Sequence, residues 1–580
     1  MKTVFTNICL GLLFTGTCAA QSISINTDGS TANSSAILDI KSTVKGLLIP
    51  RMSGSERNLI PLPASGLLIY QNGPDSTGIH YFTGTKWSWI FSDSNSDSLA
   101  WKTGGNAGTV DGRHFIGTTD NIPFTFKVNN FLSGRIDHLK YNSFFGYKAG
   151  LSNSGGINNT SMGAFALQNN SSGNANTAYG YLALSSSTSS TGNTAIGSQS
   201  LQNNTDGTAN TATGALSLKF NTSGTGNSAN GYQALFSNTD GFNNTAVGAV
   251  SLYANTTGYN NTANGASTLL NNSTGYNNTA SGISALQLNT TGYQNTATGS
   301  RCMQMNISGF NNTANGYQSL LNNNSGSGNS AYGFNSLTTN TTGDNNTAIG
   351  VSALQNNSGG FNNTAAGLSA LQRNTTGGNN TANGSEALFL NTTGSGNTAI
   401  GVMALYTNTI GFGNTGIGTS ALVYNTTGDY NAAIGDGALL FNSTGDFNNA
   451  LGKDALSRNI SGMNNNAVGA ASLKFNRIGN NNTALGHMAG FSDSTGNANI
   501  FIGYFAGYNE QGSNKLYIAN DSSSIPLIGG DFSLKTVTVN NLLTLTPTST
   551  PPGPVKGMIY FDISTNKLRC FDGTIWNDLW

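Results

Sequence analysis

A fixed order of small, apolar and amide-bearing positions returns every 17 residues through most of the chain. Starting from Asn193-Thr194-Ala195-Ile196-Gly197, the run recurs as Asn346-Thr347-Ala348-Ile349-Gly350 and Asn397-Thr398-Ala399-Ile400-Gly401. Glycine keeps its place from Gly146 to Gly503, through Gly197, Gly248, Gly350 and Gly401, with no insertion or deletion. Four residues later stands Leu, from Leu167 to Leu473 and including Leu252, Leu286 and Leu354, with Met303 the one substitute. Asn follows three further on, as at Asn255, Asn289 and Asn391, and then a second glycine, which only Ser190 interrupts between Gly156 and Gly496.

A unit this short cannot enclose a core of its own and must stack on its neighbours. The expected fold is all-β: a parallel β-solenoid (β-roll) of about 21 coils with a 17-residue period, capped by small β modules at both ends. Each coil is expected to hold two short strands and two turns. The N-T-A-x-G run is read as one strand and the x-x-A-L stretch as the other. The Asn and Gly of N-x-T-G are read as a turn, because both accept positive φ. Leu would pack on Leu down the inside, and Asn side chains would hydrogen-bond in a ladder along the stack. Proline is absent from Phe124 to Ile525, as pairing on both sides of every coil requires. Ala195, Ala246 and Ala348 must face something close, either the core or a subunit interface. The next position varies, as Ile196, Val247, Asn264 and Thr298 show, which suits a surface. A disordered polar tract needs no fixed spacing, and two glycines per unit exclude a helical repeat.

Composition narrows the function. Charged residues are only 8% of the chain and the formal net charge is zero, so no basic face is available for nucleic acid. The histidines, His80, His114, His138 and His487, are scattered. Asp206, Asp344, Glu386, Asp436 and Asp454 do not recur in phase. Neither a glycosidase carboxylate pair nor a calcium-binding repeat is therefore recognisable. No catalytic, cofactor-binding or metal-ligating residue is assigned, and a non-enzyme is expected. Cys302 falls where other units carry Ala, Ser or Thr, which predicts a small buried residue, and Cys570 has no companion motif. The Asn-x-Thr sequons follow from the consensus itself. Tyr259, Tyr276, Tyr293, Phe310 and Phe361 form an aromatic run after the second glycine, read as turn packing with sugar contact as the alternative.

Residues 1–20 read as a signal peptide: Lys2, an apolar stretch from Ile8 to Phe14, and cleavage after Ala20. Lipidation at Cys18 is the alternative. No later stretch has the length of a membrane span, so a secreted or cell-surface location is expected. The remaining organisation is read as an N-terminal β module over 21–141, the solenoid over 142–507 and a C-terminal β module over 508–580.

The N-T-A-I-G strand, with Gly486-His487-Met488-Ala489-Gly490 and Gly503-Tyr504-Phe505-Ala506-Gly507, resembles the head repeats of YadA-like trimeric autotransporter adhesins. That resemblance implies a left-handed β-roll and a homotrimer. It departs from the family in its longer coil and in having no recognisable heptad stalk or C-terminal barrel. The ends resemble a second group, Bacteroidota surface proteins and phage-like tail fibres. Ala36-Ile37-Leu38-Asp39-Ile40 and Lys45-Gly46-Leu47-Leu48-Ile49-Pro50-Arg51-Met52 carry that resemblance. Gly66-Leu67-Leu68-Ile69-Tyr70 with Tyr81-Phe82-Thr83-Gly84-Thr85-Lys86-Trp87 reads as a hairpin module. Its echo is Gly557-Met558-Ile559-Tyr560-Phe561 with Cys570-Phe571-Asp572-Gly573-Thr574-Ile575-Trp576. Asn509 to Ile518 resembles the segment that precedes the chaperone of some tail fibres.

The expected function is an extracellular fibrous adhesin or structural fibre, binding a cell-surface or extracellular polymer through its repeated face. The alternative is a regular-array binder of ice or glycan, using the Thr column at Thr245, Thr262, Thr279, Thr296 and Thr313, which fails at Ala432, Asn449 and Asn466. The period itself is testable. Deleting residues 248–264 rejoins the pattern in phase and should leave folding intact. Deleting only eight of them should not, and equal thermal stability of the two proteins would show that the repeat has no structural period.

Overall fold

The computed structural model describes residues 22–73, 76–90, 105, 107, 109–110 and 115–579. The expected signal peptide lies outside the described residues. The chain divides into two compact units, residues 1–119 and 120–580.

In the first unit, β1 (Ile23–Ile25) pairs in parallel with β2 (Leu38–Ile40). A second sheet runs in the order β3 (Arg51–Met52), β4 (Leu68–Gln71), β5 (Gly78–Phe82), β6 (Trp87–Trp89), with β3 parallel to β4 and the rest antiparallel. The short helix α1 (Gly54–Asn58) links β3 to β4. Ser53 and Glu56 form its capping box, each side chain accepting the other's backbone N–H, which satisfies two amides a helix start leaves free.

The second unit opens with two antiparallel strands, β7 (Phe124–Val128) and β8 (Phe131–Asp137), followed by β9 (Asn142–Phe145). From β9 the pairing turns parallel. Twenty-one three-residue strands follow at 17-residue steps, from β10 (Thr160–Met162) to β30 (Ile500–Ile502), in register as Thr245↔Thr262 and Ala246↔Ala263. Beyond them β31 (Lys515–Ile518) pairs in parallel, and β32 (Ile528–Asp531) and β33 (Thr536–Val539) return antiparallel. The continuous sheet thus has 27 strands, more than the coils alone, because short antiparallel pieces extend both ends. At ~4.8 Å per strand the coils rise on the order of 100 Å.

A separate C-terminal sheet holds β34 (Ile559–Asp562), β35 (Lys567–Phe571) and β36 (Trp576–Asp578). The sequence echo extends to its topology. Leu68↔Tyr81 in the first unit corresponds to Ile559↔Cys570 here, and the parallel edge pair Met52↔Gln71 corresponds to the parallel bridge Thr548↔Asp562.

Two expectations about the coil are corrected. Each coil carries one strand, T-A-x, and not two: the x-x-A-L stretch is a series of turns. In a representative coil, φ is 119° at Gly248, 52° at Val250 and 50° at Leu252. Left-handed backbone costs a non-glycine residue about 1–2 kcal/mol, and full burial of Leu252 offsets it by about 2 kcal/mol. The turn amides still bond to neighbouring coils, Val250 N–H to Tyr232 O at 2.9 Å and Leu252 N–H to Thr268 O at 3.0 Å. No buried amide therefore requires a second strand.

The second correction concerns the turn N-x-T-G. Neither Asn255 nor Gly258 has positive φ; the left-handed residue is Asn260, at 54°. Gly258 is glycine for space, since a Cβ there would lie 2.4 Å from Asn255 Oδ1 and 2.4 Å from Gly275 O.

That crowding comes from two buried Asn ladders. Asn255 Nδ2 donates to Asn238 Oδ1 at 2.7 Å and to Gly258 O at 3.0 Å. In the other ladder Asn261 donates through its backbone N–H and its Nδ2 to Asn244 Oδ1, at 3.0 and 3.1 Å, while Asn244 Nδ2 reaches Gly258 O at 2.8 Å. The same carbonyl thus accepts from both ladders. The second ladder runs without a substitution from Asn142 to Asn499. The first fails where Ser187 replaces Asn, in the unit where Ser190 replaces Gly, and the two hydroxyls bond at 2.5 Å. A shorter side chain at 187 makes room for a Cβ at 190, and Asn170 Oδ1 is left without a donor.

This pairing predicts a coupled response. Gly258→Ser should cost about 2 kcal/mol through overpacking, and adding Asn255→Ser should cost less than the sum of the single changes by about 1 kcal/mol. Hydrogen exchange at amides 256–275 would measure the cycle, and additive costs would refute the coupling.

Candidate functional surfaces

The interior is assigned throughout. Ala195, Ala246 and Ala348 are fully buried in a core with the Leu column, which settles the open choice in favour of core. Gly197, Gly350 and Gly401 have φ of 135°, 131° and 132°, as needed at the strand exit. Leu286 and Leu354 are fully buried, as are Asn289 and Asn391. Each of these Asn side chains donates to the ladder and to its own glycine carbonyl. These sequence-marked residues build the stack, and what meets a partner must be the columns left outside.

Cys302 belongs to the interior. Its Sγ lies 3.3 Å from Ala314 O and 3.4 Å from Ser319 Oγ, and burial pushes its thiol up to about 11. Among the described residues, no three His, Cys, Asp or Glu side chains come together as a metal-ligand set. Asp436 and Asp454 face Lys453 and Lys474 at 3.9 and 3.1 Å, whereas Asp206, Asp344 and Glu386 lie on separate turns.

Of the outer columns, the strand presents Thr and the variable residue on one side, opposite Ala. Ile196 and Val247 are both 39% exposed. The Thr column is in register from Thr245 to Thr313, but its neighbour reads Val247, Asn264, Ser281, Thr298, Asn315. The face therefore offers one regular column beside an irregular one.

The run after the second glycine is a ring ladder from Phe242 through Tyr259, Tyr276 and Tyr293 to Phe310, with centroids 4.9–5.0 Å apart and planes within 6°. Ring faces stacked on one another cannot also take a sugar, so packing is the role this geometry supports. Phe361 stands three coils beyond Phe310 and outside the ladder.

A further column, on the flank just after Leu, was not singled out by the repeat pattern. Lys219 lies over Phe220 at 5.4 Å, Arg373 over Phe389 at 5.7 Å, and Arg458 between Phe441 and Phe475 at 5.5 and 5.8 Å. Its signal is an aromatic or basic residue one or two places after Leu in consecutive units.

The Asn ladder ends at Asp493, whose two oxygens accept from Gly496 N and Asn499 Nδ2. It offers no donor to Asn476 Oδ1, which is unpartnered. Burial pushes the Asp493 carboxyl above its usual range. In the first unit, Leu47, Leu48, Leu68, Tyr70 and Ile79 line an open apolar groove of about 760 Å³. Leu47 and Leu48 are 63% and 74% exposed.

Residues 24–103, which include β2 to β6 and this groove, match the family described as a phage tail like trimerisation region. No curated protein and no solved structure matches the chain. No helix among the described residues is long and apolar enough to cross a membrane.

The ladder end carries a pH-dependent prediction. With its native carboxyl value raised, Asp493 binds its proton more tightly folded than unfolded, so its charge costs stability as pH rises past that value. Asp493→Asn should therefore stabilise the fold at pH 7 by about 1 kcal/mol through the relieved charge, since the donor regained for Asn476 Oδ1 is offset by the acceptor lost to Asn499 Nδ2. The gain should shrink below the ordinary carboxylate value of 3.8. An equal gain at pH 7 and pH 3 would leave the ladder donor, and not the charge, as its cause.

Proposed function

We propose that the protein is an exported, non-enzymatic, trimeric fibre that adheres to a cell surface or extracellular polymer through the outer columns of its solenoid. The observation that carries this reading is the trimerisation-region match in a chain whose other unit repeats one coil surface twenty-one times. A single coil offers a weak contact, and repetition along the stack and across three chains multiplies it by effective concentration. The resemblance of the repeats to adhesin heads supports the same reading. Export rests on the signal-like residues before Gln21. A lattice-binding role is disfavoured by the irregular column beside Thr, and a thermal-hysteresis assay should find no activity.

The trimer would form where the first unit exposes apolar surface that no element among the described residues covers. A second copy of this region is the occupant that the trimerisation match favours for the groove of Leu47, Leu48, Leu68, Tyr70 and Ile79. Sedimentation of the wild type should give three times the chain mass. Leu47→Asp with Leu48→Asp should release monomers while leaving the β-type circular dichroism unchanged, because both side chains are exposed in the single chain. A wild-type monomer at micromolar concentration would overturn the trimer. Binding of cells or polymers that survived replacement of the solenoid's outer columns would overturn the adhesive role.

A further inference from the structure

Basic residues are sparse in the solenoid and gather in one place. Between Thr160 and Ile502 there are seven Lys or Arg residues, and four of them, Lys453, Arg458, Lys474 and Arg477, fall between positions 453 and 477. Lys453 and Lys474 are neutralised by Asp436 and Asp454. Arg458 and Arg477 have no ion pair or side-chain hydrogen bond among the described residues, and both line one groove.

The Arg458 guanidinium is held between the rings of Phe441 and Phe475. Those rings belong to a longer column, with Tyr424 on Phe441 at 5.2 Å and Phe491 on Phe475 at 5.0 Å. A guanidinium held between two rings loses less further freedom on binding, and its N–H groups make no side-chain hydrogen bond that an anion would have to displace. Phe441, Arg458, Ile460, Phe475 and Arg477 together line a groove of about 540 Å³, within the usual range of small-ligand sites. Lys219 and Arg373 also lie on rings, but neither has a second basic side chain in a shared groove.

We propose that this groove binds the acidic groups of an anionic polysaccharide. Arg458 and Arg477 take the carboxylate or sulfate by charge-assisted hydrogen bonds, and Ile460 with the ring edges takes the apolar side of the sugar. The proposal rests on the adhesive reading and gives it a ligand class and a place on the solenoid. Elsewhere on the stack basic residues stand singly, at Lys219, Arg301 and Arg373, whereas here two guanidinium groups line one groove.

The test uses the full mature protein with three polymers: polygalacturonate, dextran sulfate and neutral dextran. Binding to at least one acidic polymer, weakened by salt, and none to dextran is expected. Arg458→Gln with Arg477→Gln should lower that affinity by about ten-fold or more. Arg301→Gln with Arg373→Gln, an equal charge change at two exposed arginines on separate coils, should alter it less than two-fold, or about 0.4 kcal/mol. An unchanged melting profile in all variants would exclude a packing effect. Equal losses from the two changes, or equal binding of duplex DNA, would show bare charge attraction and overturn the proposal. If no acidic polymer binds while the protein still adheres to cells, the groove proposal falls and the adhesive reading stands; if it adheres to nothing, both fall.

Discussion

Successive coils lie one strand spacing apart, ~4.8 Å, and at that distance a buried side chain meets its own counterpart in the next coil. For an amide this is an opportunity, because Asn is both donor and acceptor. Asn244 accepts from Asn261, Asn238 from Asn255, and both ladders send a second N–H to the carbonyl of Gly258. Each turn is thereby tied directly to its own coil and to the next. The same closeness leaves no place for a Cβ at Gly258, and it makes any insertion intolerable, because one extra residue would set amide against methyl all along the stack.

The parts of this arrangement that depend on identity in phase were legible in the sequence. Gly248, Leu252 and Asn255 announced the period, and their burial or conformation follows from it. What was not legible was backbone conformation at residues that look ordinary. Val250 and Leu252 are left-handed, a state that an apolar pattern does not encode and that burial and inter-coil bonds impose. Gly258 was read as a turn-former when its reason is contact distance. The outer surfaces were harder still. The place of Arg458 is held elsewhere by Asn, Ser or Phe, as at Asn322, Ser237 and Phe441, so only the fold showed that a cation and two rings share one column.

Interior and exterior therefore obey different rules. Inside, Ala, Leu, Asn and Gly repeat because each copy must fit the last. Outside, the Thr column, the ring ladder and the basic flank vary from coil to coil without disturbing that fit. A scaffold of this kind separates stability from recognition: surface residues can change along its length while the ladders and the Leu column stay as they are. The first unit contributes by another route, through exposed Leu47 and Leu48 in a region similar to known trimerisation segments.

The paired serines, Ser187 and Ser190, carry a mechanical consequence. In neighbouring turns three consecutive amides, such as Thr205, Asp206 and Gly207, bond to the Thr222 carbonyl of the next coil, whereas Thr188, Ser189 and Ser190 make no such bonds to Thr205. A stack whose stability is a sum of nearest-neighbour couplings parts first at its weakest coupling. Under tension or during partial melting, a crack should start at this seam, and the strands up to β11 (Thr177–Tyr179) should peel away as one block from β12 (Thr194–Ile196) onward. The rod would then behave as two rigid segments joined at a built-in fault line.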